Sequence, residues 1–118
     1  MDPVTGISLG RILIGICAFL APELTAKVFG LTPATNPHLP YMTRMFAARE
    51  VAVGGLTLAS SGTTRRTLAL VGVAIDASDA ATGALELQAN RIPKSAGIML
   101  IGVATGAVVS GAIGALRG

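Results

Sequence analysis

The residues that could do chemistry in this chain are charged side chains lying inside apolar segments. Arg11, Glu23 and Lys27 fall in a first such segment, Arg44, Arg49 and Glu50 in a second, and Asp76, Asp79 and Glu86 in a third. A charge at the centre of a bilayer costs roughly 2.5–3.5 kcal/mol on insertion scales, so charges there pair with one another or mark a path for ions. Arginine suits the pairing because its planar fork binds a carboxylate through two parallel hydrogen bonds. Three chemistries fit the pattern: a proton or ion relay, a polar binding pocket, or a neutralised ion-pair lock that keeps helices in register. Cys17 is the only cysteine, which excludes an internal disulfide, a CxxC redox pair and a cysteine-based zinc site. His38 is the only histidine and sits in a proline-rich loop without acidic neighbours. No catalytic residue, metal site or cofactor is therefore expected, and the chain reads as a non-enzyme.

The elements that must hold these charges follow from composition. A length of 118 residues allows one domain, 1–118, and only 13% of them are charged against 52% hydrophobic. An ordinary soluble domain carries about 25% charged residues. So few polar groups cannot coat a small sphere, which excludes a soluble enzyme, a disordered chain and a disulfide scaffold. Four apolar segments, about 7–29, 41–60, 67–88 and 95–116, are each long enough for a ~30 Å hydrocarbon core. The expected fold class is all-α, a four-transmembrane-helix antiparallel bundle with a buried Arg/Asp/Glu core.

The joints between segments read as turns. Gly30 follows the first segment as a C-cap signal, and Pro33, Pro37 and Pro40 keep the next stretch from being helical. Residues 60–66 and 90–94 are short polar links, which implies antiparallel neighbours. Pro22 is expected to kink the first helix and free the carbonyl of Ala18, with Glu23 and Lys27 paired one turn apart beyond it. The opening MDPVTG has no base before Arg11 and no small-residue cleavage site, so the first helix is expected to stay in the protein. Basic residues form no run and no aromatic residue interleaves with them, which argues against nucleic acid as a partner.

Sorting the charges by depth shows which can meet. The charges outside the four segments sum to +4 and those within them to −1, so the interior is nearly neutral. Counted from a turn centred near Thr63, Arg49 lies 14 residues before, Asp76 lies 13 after and Asp79 lies 16 after. In a hairpin these three share one depth near the midplane, with Arg44 between the levels of Asp79 and Glu86. Asp76, Asp79 and Glu86 form one stripe, which Gly83 completes and opens to a neighbouring backbone or guanidinium. Arg44 and Arg49 point about 140° apart. One is expected to address the third helix, the other the first helix or an external partner. The buried ion-pair core is thus read as Arg44, Arg49, Glu50, Asp76, Asp79 and Glu86, centred between the second and third helices.

The fourth segment is free of charge and carries Gly102, Gly106, Ser110, Gly114 and Gly118 at four-residue intervals. Such a small-xxx-small stripe lets helix backbones approach closely, within the bundle or against another protein. It is read as a docking face. Tyr41 and Phe46 are candidate interface anchors, and Cys17 and Met42, Met45 and Met99 read as helix filler. The tight Arg65-Arg66 pair tips the orientation towards a cytoplasmic N-terminus in a multi-pass inner (plasma) membrane protein.

The order and spacing of GRILIGICAFLAPELTAKVFGL (10–31), RMFAAREVAVGGL (44–56) and DASDA (76–80) resemble a family of small four-helix integral membrane proteins, a domain of unknown function well represented in actinobacteria. The resemblance implies a helical membrane bundle and brings no catalytic residues with it. Small multidrug exporters share the helix count, but they rest on one isolated acid in the first helix, whereas Glu23 here sits near a helix end beside Lys27. Two functions are carried forward. The first is a non-catalytic accessory or assembly subunit of a larger integral membrane complex in contact with membrane lipid, an Mce-type lipid importer by analogy with the actinobacterial setting. The alternative is a small proton-coupled transporter or channel, acting as a homo-oligomer, with Glu50, Asp76 and Asp79 as switching carboxylates and Arg49 as counter-ion.

Overall fold

The computed structural model describes residues 2–117 as five α-helices: α1 (Pro3–Leu20), α2 (Pro22–Val28), α3 (Leu39–Ala59), α4 (Gly62–Gln88) and α5 (Lys94–Arg117). A single 3₁₀ turn, Pro33–Thr35, interrupts the loop before α3. The first helix starts earlier than its apolar run because Asp2 caps it. The Asp2 carboxylate accepts from the Thr5 N–H at 2.9 Å, and Pro3 stands at the first helical position, where its missing N–H costs nothing. At Pro22 the expected kink is a full break, with Ala21 outside helical geometry between α1 and α2. Glu23 and Lys27 are both exposed on α2, and among the described residues no ion pair joins them. Residues 62–66, expected as part of a polar link, instead form the first turns of α4, which leaves only Ser60 and Ser61 between α3 and α4.

Two helix ends close in the same way. The Leu31 N–H donates to Ala26 and the Gly30 N–H to Lys27, with Gly30 left-handed at φ +82°. The Arg91 N–H donates to Glu86 and the Asn90 N–H to Leu87, with Asn90 at φ +56°. Both are Schellman closures, which satisfy the last carbonyls of α2 and α4.

Packing divides the helices into two close pairs, α1 with α3 and α4 with α5. Glycines set how close. A Cβ at Gly54 on α3 would lie 2.7 Å from the Ser8 carbonyl oxygen on α1, and one at Gly15 on α1 would lie 2.9 Å from the Ala47 carbonyl oxygen on α3. In the other pair, Gly83 on α4 seats Ile101 and Gly97 on α5 seats Leu87. The expected hairpin partners α3 and α4 hardly pack on each other; polar side chains span the gap between them.

The interior holds small and charged residues, and the large apolar ones face out. Ala18, Ala47 and Ala96 are fully buried and Ser8, Arg11, Glu50 and Asp76 are buried beside them, while Leu13, Leu20, Leu24, Leu85 and Leu116 are more than 60% exposed. Water would favour the reverse distribution; hydrocarbon does not. Three helices, α1, α4 and α5, are long and apolar enough to cross a membrane. The chain is accordingly a helical membrane protein. The α3 helix falls short by composition, since every 18-residue stretch of it contains Arg44, Arg49 and Glu50.

Candidate functional site

The centre of the charged interior is Arg11, on α1, outside the hairpin in which depth was counted. Its Nη1 donates to Glu50 Oε2 at 2.9 Å and to Asp76 Oδ1 at 3.0 Å, and its Nη2 donates to Asp76 Oδ2. One guanidinium thus ties α1 to α3 and α4, with all three side chains nearly sealed from the surface. Gly72, one turn before Asp76 on the same face of α4, makes room for it: a Cβ there would stand 2.7 Å from Arg11 Nη2. The signal was present in the sequence. Arg11 has no acid three or four residues away on its own helix, so its partner had to lie on another.

A second guanidinium closes the other side. Arg49 Nη2 donates to Asp79 Oδ2 at 2.8 Å and reaches Glu50 Oε1 at 3.4 Å, and the guanidinium stands 5.2 Å over the Phe46 ring. Arg49 Nε is buried without an acceptor among the described residues. The Asp79 side chain keeps 33% of its exposure and Arg49 keeps 38%, against 5% for Glu50. Glu50, Asp76 and Asp79 place one oxygen each within 4.8 Å of one another, a spacing that could hold a cation. Arg11 and Arg49 already engage oxygens of all three, so two guanidiniums offset two of the three carboxylate charges there.

Arg44 and Glu86 lie outside this core. Arg44, facing away from Arg49 on α3, donates Nε to the Phe19 carbonyl at 3.1 Å and stands 5.6 Å over the Phe19 ring. It therefore meets the first helix, one of the two ends its orientation allowed, at a carbonyl next to the break that Pro22 imposes. Glu86 pairs instead with Arg91 beyond the end of α4, at 2.6 and 3.1 Å. The expected contact between α3 and α4 at one depth is present as Arg49–Asp79, while Asp76 goes to Arg11.

Beside the cluster lies a cavity of about 570 Å³ between the two helix pairs. It occupies the half of the bundle towards α2 and the end of α4, and the stripe Asp76, Asp79 and Glu86 runs along one wall. Gly83 opens the stripe to the side chain of Ile101 on α5, not to a backbone or guanidinium. The opposite half is filled: Val4, Ala69 and Ala115 form its core, and Arg65 closes it by donating to Thr5 at 2.7 Å and to Asp2 at 3.3 Å.

Residues 8–117 match the model of one protein family, described as a domain of unknown function (DUF4267). The chain belongs to that family. The match takes in Arg11, Glu50, Asp76 and Asp79 together with the cavity they border, apart from Ile7. No curated protein and no solved structure matches the chain.

The docking stripe divides. Gly102 and Gly106 face open space, with nothing within 4 Å of a Cβ at either position, and Ser110 is exposed. Gly114 is buried, where a Cβ would meet Val4 at 2.6 Å, so the last part of the stripe packs α5 on α1. Gly118 lies outside the described residues. His38 is exposed just before α3, Tyr41 is exposed, and Phe46 lines the cavity beneath Arg49.

Proposed function

We propose that this chain is a four-crossing inner-membrane transporter that exchanges protons for a solute, with Glu50, Asp76 and Asp79 as the carboxylates that gain and lose the proton and Arg11 and Arg49 as their counter-ions. The observation that carries this reading is the joining of an unbalanced cluster to a cavity. Three carboxylates face two guanidiniums, and Asp79, the least enclosed of the three, stands on the cavity wall. A lock that only fixes register would balance its charges and seal them, because an unmatched charge in apolar surroundings is costly. One that remains unmatched beside a cavity is suited to exchange.

Connectivity supports a fourth crossing by α3. The start of α1 touches the end of α5 at Val4 and Gly114 and the start of α4 through Arg65, so all three ends lie on one side of the bundle. A chain that crosses in α1 must return before α4 begins, and α3 is the only long helix between them. Its three charges are directed inward or onto a backbone carbonyl, which removes the main objection of its composition. The orientation proposed is N-terminus inside, on the Arg65-Arg66 pair.

Infrared spectroscopy of the protein reconstituted in lipid tests the exchange. Over the pH range in which the protein stays folded, a protonated-carboxyl C=O band should grow as pH is lowered, and Asp79→Asn should remove or shift it. A spectrum without any such band across that range would refute proton exchange.

A second reading, a non-catalytic subunit of a larger membrane complex, is supported by the bare Gly102 and Gly106 face of α5. Gentle-detergent purification from native membrane tests it, since a stoichiometric partner should be lost in Gly106→Leu. An Mce-type lipid importer is the complex this reading would name.

A further inference from the structure

We propose that the cavity between the helix pairs binds a bulky hydrophobic organic monocation, one proton leaving the cluster as the cation enters. The exchange rests on the proton-transport reading above; the binding rests on the cavity itself. Two properties of its wall select the ligand. The first is apolar surface, from side chains such as Ile7, Ile14, Met42, Leu100 and Val103. The second is the sign of its charge. Glu50, Asp76, Asp79 and Glu86 border the cavity against one guanidinium, Arg11.

Arg49 and Arg91 reach Asp79 and Glu86 without bordering the cavity, so the site as a whole carries one negative charge in excess. Around Asp79 the charged groups are Arg49 and Glu50 on α3, Arg11 on α1 and Asp76 on α4, while α2 and α5 bring only uncharged side chains to the wall. With the excess charge held as a carboxyl group the site is neutral. When a cation takes its place the O–H bond breaks, the proton leaves to solvent, and the site is neutral again.

Other occupants satisfy only half of this wall. A small hydrated cation would match the charge and leave the apolar side chains facing water. A neutral lipid chain would fill the space and leave the charge unmatched, and an anion would be repelled. A cation that carries its own apolar surface meets both demands, and Phe29 and Phe46 are among the residues that line the space.

The test uses two ions of the same shape and opposite charge, tetraphenylphosphonium and tetraphenylborate, with the full chain in detergent micelles and empty micelles subtracted. Equilibrium dialysis should show saturable binding of the phosphonium alone. Its apparent affinity should fall as pH falls, by up to roughly tenfold per pH unit where the proton competes. Asp79→Asn should weaken it by roughly tenfold or more, and Asp79→Glu should restore it. Ala107→Trp, which fills the cavity without touching a charge, should also abolish it, and serves if the Asp79 variant does not fold. Equal uptake of both ions, or no saturable uptake of the phosphonium, would overturn the proposal. Saturable binding with no proton appearing in a weakly buffered indicator solution would uphold the cation site and overturn the exchange, together with the transport reading beneath it.

Discussion

Arg11 ties three helices together through Glu50 and Asp76, and its removal has a calculable consequence. Arg11→Leu would leave Glu50 and Asp76 buried without their cation, and breaking a buried pair in this way costs about 3–5 kcal/mol. Thermal unfolding of the purified variant, followed by circular dichroism, should show a large loss or no folded protein. Arg11→Lys should recover only part of it, because a single ammonium cannot reproduce the fork that meets both Asp76 oxygens. At the N-terminal end of α1, the Thr5 N–H and hydroxyl hold the Asp2 carboxyl down from 3.8 to about 2, with Arg65 adding to the effect. A lowered folded value means that this cap stabilises the protein above about pH 4 and is lost as pH falls through 2. A melting-temperature scan in acid should therefore flatten between those values in Asp2→Asn.

At the scale of the helix, glycine decides which elements touch. Gly54 and Gly15 bring α1 and α3 to backbone contact, and Gly72 lets the Arg11 guanidinium lie against α4. Gly54→Ala would push a methyl group into the Ser8 carbonyl, and Gly72→Ala would displace the guanidinium from Asp76. Overpacking of this kind costs about 1–3 kcal/mol. Chemical denaturation in mixed micelles should find both variants destabilised, and Gly55→Ala, where nothing lies within 4 Å, not destabilised but up to about 1 kcal/mol more stable. The pairing of α3 with α1 also makes use of the break that Pro22 imposes. Arg44 reaches the Phe19 carbonyl there, at a level where a continuous helix would have bonded it internally.

At the scale of the whole molecule the distribution of residues is inverted, with leucines outside and charges within, and its longest dimension is 45 Å. That length matches a bilayer with its headgroup layers, ~40–45 Å. Four crossings would put both termini on one face. Reporter fusions to the N- and C-termini should give the same compartment signal, cytoplasmic on the proposed orientation. Signals from opposite compartments would mean that α3 lies outside the bilayer, and that the cluster it supplies is not at membrane depth.

Much of this was legible in composition and spacing. Low charge and long apolar runs required a helical membrane protein, since helices and closed barrels alone satisfy the backbone in hydrocarbon and continuous apolar runs of about 20 residues fit the helix. The near-neutral interior required acids and bases to meet, and the depth count put Arg49 level with Asp76 and Asp79, of which it meets only Asp79. What spacing along one helix or one hairpin could not reveal was the third dimension. Counting from the turn assumed that sequence neighbours α3 and α4 pack together, whereas glycine contacts join α3 to α1 and α4 to α5. That choice brought Arg11 to the centre and left Arg44 and Glu86 outside it. It also left a cavity between the pairs. Small residues at Gly54, Gly15, Gly83 and Gly97 have no direction in a sequence; only when the helices are docked does the surface each one lacks select a neighbour, and with it the position of every charge.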